Sequence, residues 1–209
     1  MKKLAFSILA FAVLVTAGVT RAASQAAQSA APAQSADKTA PTYDMKAQAL
    51  VDLDDLHKKF VALATAIPQE KYSYRPADGV RSIGEVFLHI SAANFNIPTM
   101  MGTPAIPEYM APGFDKSITD KAKIIDQLNK SFDYAHAAIE KMTNADFAKP
   151  EKKLGPDAND GDVVYILVTH AHEHMGQSIA YARVNGIVPP WTAAAAAAAA
   201  AKKGQQPQE

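Results

Sequence analysis

Apolar residues recur at every third or fourth position in four stretches of this chain, and a proline, a glycine or a polar break closes each one. The first stretch runs from about Met45 to Ile67, with Leu50, Leu53, Leu56, Phe60 and Leu63 on one side and Pro68 after it. The second opens at Ser82, where Ser-Ile-Gly-Glu has the form of a capping box. It continues through Val86, Phe87, Ile90 and Ala93 to about Ile97, before Pro98 and Gly102. The third extends from near Thr119 to Met142, carrying Ile124, Ile125, Leu128, Phe132, Ala135 and Ile139. The fourth runs from about Asp162 to Val184 and stops at Asn185 and Gly186, with Pro189 and Pro190 beyond. No stretch alternates with the period of a strand. Four amphipathic segments of roughly 20 residues each predict an all-α protein, a four-helix bundle. The segment from Gly102 to Ile118 holds three prolines and is long enough to cross an end of the bundle or to cover a site.

The two ends of the chain lack this pattern. Lys2 and Lys3 precede an apolar run from Leu4 to Val19, and Thr20, Arg21, Ala22 and Ala23 follow. A charged start, an apolar middle and a small-residue exit predict a secretory signal peptide over residues 1–22, and hence a periplasmic or secreted protein. No cysteine follows the run, so there is no lipid attachment site, and no membrane span is expected after cleavage. Residues 23–42 are mostly Ala, Gln, Ser and Pro and read as a flexible leader. Residues 192–209 begin with an alanine run, Ala193 to Ala201, that has no stripe of larger residues to dock. A frayed helix or disorder is expected there. Between the ends, residues 43–191 form one domain with length enough for a core.

Charge narrows the field of functions. The full chain has 21 basic and 21 acidic residues. Loss of Lys2, Lys3 and Arg21 leaves 18 against 21, a net of −3, and no basic patch of the kind that binds nucleic acid. The absence of cysteine excludes disulfides, a thiolate nucleophile and cysteine-based zinc sites.

Chemistry concentrates in the fourth segment, at THAHEHMGQSIAYAR. His170 and His174 are four residues apart, so on a helix they stack on one face, about 6 Å apart along the axis. Two imidazoles so placed can close on one metal ion. The same stripe continues through Gln177 and Tyr181, and polar groups on the buried side of a helix need partners. Gly176 beside the pair suggests a close approach by another backbone or a ligand, since glycine inside a helix costs about 1 kcal/mol against alanine. His89, mid-way along the second segment, is the third candidate ligand, and all three meet at mid-height if these helices are neighbours. His172 lies about 200° around the helix from the pair and should point to solvent.

The other candidates are of lesser rank. His57 shares a side with Leu53, Phe60 and Val61, and either sits in the core or reaches the metal pocket. His136 flanks Phe132 and Ile139 as a boundary residue. Glu85 is the cap partner of Ser82 before it is a partner of His89. Glu173 is read as a solvated residue, with orientation of a ligand or base chemistry as its alternatives.

Two segments carry a resemblance to the DinB/YfiT-like superfamily. IPQEKYSYRPADGVRSIGEVFLHI is similar to that family's stretch leading into its first metal-ligand helix. THAHEHMGQSIAYARVNGIVPP is similar to its His-x-x-x-His-x-Gly-Gln signature and Pro-Pro exit, and His172 falls outside that signature. The resemblance spans the domain and implies a four-helix bundle with His89, His170 and His174 as metal ligands. It implies a divalent cation, zinc or nickel first and then iron or manganese. It also implies a small-molecule substrate, a low-molecular-weight thiol among the candidates, and leaves room for a homodimer.

Three neutral imidazoles leave a divalent ion its full charge and an open coordination position. Such an ion supports hydrolysis by activating water, or sulfur transfer by holding a thiolate. The expected function is therefore a metal-dependent enzyme, a hydrolase or a thiol-dependent transferase. The alternative is a domain that binds a metal or small ligand without turnover. A fourth protein ligand, such as His57, would mark that second case, because structural sites are closed.

Overall fold

The computed structural model describes residues 43–204, so the expected signal peptide and leader lie outside the described residues. Among the described residues five α-helices form: α1 (Met45–Ala66), α2 (Ile83–Asn96), α3 (Lys121–Glu140), α4 (Asp160–Val184) and α5 (Pro190–Gly204). No strand occurs among the described residues; the one extended pairing is an isolated bridge between Pro150 and Asn159. Each of the first four helices starts where a short polar side chain meets a free backbone amide. Asp44 accepts from Ala47, Ser82 from Glu85, Asp120 from Lys123 and Asn159 from Asp162. Caps of this kind contribute about 1 kcal/mol each. At Ser82 and Asn159 the box closes in both directions, through Glu85 and Asp162.

The order of the helices in the bundle is not a simple succession of neighbours. α1 packs against α3 and α4, and α2 also packs against α3 and α4, so the consecutive helices α1 and α2 face each other diagonally. Directions follow from side-chain contacts. Lys46, at the start of α1, donates to the carbonyls of Glu140 and Met142 at the end of α3. Lys121, at the start of α3, donates to those of Thr65 and Ile67 at the end of α1. These two helices are antiparallel. α2 and α3 are parallel, since Gly84 lies beside Ile124 and Asn94 donates to Ser131. α2 and α4 are antiparallel, with Tyr74 near Tyr181 and His89 near His170. Met45 meets Gly161, so α1 and α4 start at one end. The sequence of directions is up, down, down, up.

The segment Gly102–Ile118 makes the parallel step possible. It does not close an end of the bundle. It runs back along α2, with Tyr109 stacked on Phe95 near the end of that helix and Asp115 paired with Arg81 at its beginning. Phe114 is buried on the way.

The core joins all four long helices. Leu53, Leu56, Phe60, Phe87, Ile90, Leu128, Phe132, Val164 and Leu167 are all buried. Burial of each such side chain stabilises the fold by about 1.5–3 kcal/mol. Phe60 lies edge-on to Phe87, with ring centres 6.3 Å apart, and tilted against Phe132 at 5.6 Å. The alanine-rich tail differs from expectation. Its described part, to residue 204, belongs to helix α5, because alanine has the strongest helix propensity and because Trp191 anchors the start, the Lys59 ammonium lying 5.9 Å from its ring.

Candidate metal centre

The antiparallel crossing of α2 and α4 brings three imidazoles together. His89 comes from the middle of α2, and His170 and His174 from the middle of α4. The i, i+4 spacing on α4 places the pair on one face, and their ring centres are 4.5 Å apart. His89 meets that pair, with ring centres 5.1 Å from His170 and 4.7 Å from His174. One nitrogen from each ring lies within 4.8 Å of the others. That is looser than the expected convergence of about 4 Å, and looser than the separation of about 3.3 Å that tetrahedral zinc–nitrogen bonds impose. The pair nearest that value is His89 Nε2 and His170 Nε2, at 3.2 Å.

Neighbouring groups select the nitrogen that faces inward. Gln177 donates through Nε2 to the Tyr181 hydroxyl at 3.0 Å, which leaves its Oε1 as an acceptor. His174 Nδ1 donates to that oxygen at 2.7 Å. The lone pair of His174 is therefore on Nε2. This is the arrangement in which outer partners orient metal-ligating histidines. Nδ1 of His170 is buried without a hydrogen-bond partner.

Two of the three rings, His89 and His170, are held toward the neutral form. Burial, then the charge of Arg81, then the two neighbouring histidines push His89 down to about 4 from its ordinary 6.5. Burial and then His174 lower His170 as well. Neutral imidazole is the form that ligates metal. Arg81 and Asp115, 3.1 Å apart, supply opposite charges felt at His89. The sequence reading missed both, because they meet through the path of the loop and no spacing rule relates them.

The remaining candidates sit elsewhere. His172 is exposed, with Nδ1 bonded to the Val168 carbonyl one turn back. His57 does not reach the centre. It stacks on Phe132 between α1 and α3 and bonds to Asn129. His136 lies on the same face, near Asp54. Glu85 caps Ser82 and pairs with Arg75, and Glu173 is exposed. Gly176 corrects an expectation: it is exposed, and a Cβ there would meet nothing within 4 Å. No close approach by another part of the protein explains that glycine.

A family model described as the DinB superfamily matches residues 52–178, more than half of the chain. The chain belongs to the DinB superfamily. The solved structure of a DinB-like protein from Bacillus cereus is 20% identical, with a TM-score of 0.59, covering 68% of this chain and 93% of that one. YfiT from Bacillus subtilis is 12% identical, with a TM-score of 0.55, covering 72% of this chain and 93% of its own. That protein is described as a probable metal-dependent hydrolase with an unusual four-helix bundle topology. No curated protein matches.

All three histidines of the DinB chain lie inside the matched region, as does Gln177, whereas Tyr181 lies just beyond it. The donor set fits a divalent ion of the zinc class. His174 has its lone pair fixed inward, and two further Nε2 atoms approach each other as they would around a shared cation. Among the described residues the group contains these three ligands and no fourth.

Proposed function

We propose that this DinB protein is exported and acts as a divalent-metal-dependent enzyme, a hydrolase or a thiol-dependent transferase. The observation that carries the reading is the incomplete ligand set: three imidazoles gather together, and among the described residues no carboxylate or fourth imidazole joins them. A catalytic zinc-type site has that form, whereas a structural site is closed by protein. The description of YfiT as a probable metal-dependent hydrolase supports the same class.

His89, His170 and His174 would hold the ion, zinc or nickel before iron or manganese. When bound there, the ion supplies a Lewis acid that lowers the pKa of water or of a thiol to near neutrality. The protein contributes orientation and neutrality. Tyr181 holds Gln177, Gln177 holds His174, and burial keeps His89 and His170 unprotonated at neutral pH. Export is supported by the charged, apolar and small-residue succession of residues 1–22.

Elemental analysis and turnover test this together. The purified protein is expected to hold a divalent metal, and His174→Ala to lose most of it, while His172→Ala keeps it. Metal-restored turnover of ester substrates, or of an electrophile with a small thiol, is expected to be absent in His174→Ala. Equal metal content in the two variants would sink the three-histidine reading. Full metal with no turnover and no exchangeable coordination position would favour the binding module. Mass spectrometry of the exported protein is expected to lack residues 1–22.

A further inference from the structure

Two arginines precede α2, and they are held differently. Arg75 uses both terminal nitrogens of its guanidinium, Nη1 on Glu85 and the Val80 carbonyl, and Nη2 on Glu85. Its fork is filled. Arg81 is held by the inner nitrogen instead: Nε donates to Asp115 Oδ2 at 3.1 Å. Among the described residues Nη1 and Nη2 of Arg81 make no hydrogen bond.

Asp115 is itself fixed by its loop. It follows Phe114, which is buried and lies edge-on to Tyr109 with ring centres 5.3 Å apart. Tyr109 stacks in turn on Phe95 of α2. The Asp115 side chain is 20% exposed and that of Arg81 is 41% exposed. One edge of the guanidinium is clamped, and the terminal fork is left for an incoming group.

That fork lies beside the three-histidine centre. Arg81 directly precedes the Ser82 cap, and His89 follows the cap by seven residues, about 10 Å along the axis. A long arginine side chain spans much of that distance. Burial lowers His89 most, and Arg81 comes next, ahead of the neighbouring histidines, while Asp115 acts there with the opposite sign. At His170 burial, His174 and Glu173 act more strongly, and Arg81 contributes again. A charge felt on both α2 and α4 sits near the crossing of those helices.

Two free, parallel N–H donors match the two oxygens of a carboxylate. Asp115 already offsets part of the Arg81 charge, which suits a singly charged group better than a dianionic phosphate. A half-exposed arginine alone holds such a group weakly. A molecule that also reaches the metal is held at two points. We propose that Arg81 is a substrate-binding residue that selects small carboxylic acids, with the carboxylate in its fork and the reacting group at the metal, a role that rests on the open three-histidine site proposed above.

The cobalt-loaded full chain, titrated with 3-mercaptopropionate and with its uncharged amide, tests this role. Both thiols offer the same sulfur to the metal, and the cobalt absorption bands read their binding without turnover. The parent protein is expected to bind the acid roughly tenfold or more tighter than the amide. Arg81→Gln should abolish that preference and leave the affinity for the amide as it was, which also shows that the metal centre survives the substitution. Asp115→Asn keeps an acceptor for Nε but removes the competing charge, so it should bind the acid several-fold more tightly and the amide unchanged. If Arg81→Gln fails to fold, an acid affinity unmoved by Asp115→Asn overturns the proposal. Equal binding of the two thiols by the parent overturns it too, and so does a preference that persists in Arg81→Gln, since the carboxylate then meets the metal and not the arginine. In both of those cases the open metal site stands. If neither thiol moves the cobalt bands of the parent, the open site and the role of Arg81 fall together.

Discussion

His174 and Gln177 are joined on α4 by a 2.7 Å hydrogen bond from Nδ1 to Oε1, and this bond decides which imidazole nitrogen faces the centre. The Tyr181 hydroxyl settles the orientation of the amide in turn, by accepting from Gln177 Nε2. Loss of the acceptor frees the His174 ring to turn and to exchange tautomers. Gln177→Leu is therefore expected to weaken metal binding about 10–100-fold. Gln177→Glu keeps an acceptor at that position and should retain most of the affinity. Competition with a chromogenic chelator measures both. Equal affinity in Gln177→Leu and the parent protein would show that the bond does not orient the ligand.

His89 makes the stability of the metal-free protein depend on pH. Its folded-state pKa is about 4, below the ordinary 6.5 that applies when the chain unfolds. The unfolded chain therefore binds a proton at His89 before the folded one does. Stability from this residue is complete above about pH 6.5 and declines as the pH falls toward 4. His89→Asn removes that dependence without removing all polarity. The Tm of the stripped parent protein should fall more steeply between neutral pH and pH 4.5 than that of His89→Asn. Parallel profiles would mean that His89 does not resist protonation.

The readable part of this architecture is the part with short-range causes. His170 and His174 share a face because of helix period alone, and the helix starts follow from Asp44, Ser82, Asp120 and Asn159 and their local amides. His89 is harder, since nothing in its own helix says which neighbour it faces. The parallel run of α2 and α3 is not legible at all from periodicity. It depends on Phe95 finding Tyr109 and Arg81 finding Asp115, contacts set by the path of the loop. His57 shows the same limit. Its apolar neighbours Leu53 and Phe60 suit either side of α1, and the residue that decides the matter, Asn129, is 72 positions away.

Lys46 and Lys121 act alike at opposite ends of the α1–α3 pair. Each sits in the first turn of one helix and donates to two terminal carbonyls of the other, at 2.6–2.7 Å. Those carbonyls have no partner within their own helix, and a cation beside them also complements the helix dipole. Lys46→Met and Lys121→Met should each cost about 1 kcal/mol, a value held down by partial solvent exposure. The sites are at opposite ends of the bundle, so the double variant should lose close to the sum. Urea denaturation gives all three values. A double variant no weaker than one single variant would show that the two caps are not independent.

Gly176 is an interior position of α4 whose backbone freedom has no visible use. It has ordinary helical company on both sides, it is exposed, and an added Cβ would meet nothing within 4 Å. Glycine there costs conformational entropy that alanine would not. Gly176→Ala is expected to stabilise the protein by about 0.5–1 kcal/mol. In a chain of this size that corresponds to a Tm rise of roughly 1–4 °C. Metal content should stay as it is, because His170 and His174, six and two residues before it, lie on another face of the helix. Calorimetry and elemental analysis of one preparation check both halves. A stabilised protein with intact metal but weakened turnover would mean that substrate uses the space beside Gly176, which would give the glycine a role that the packing of the bundle does not.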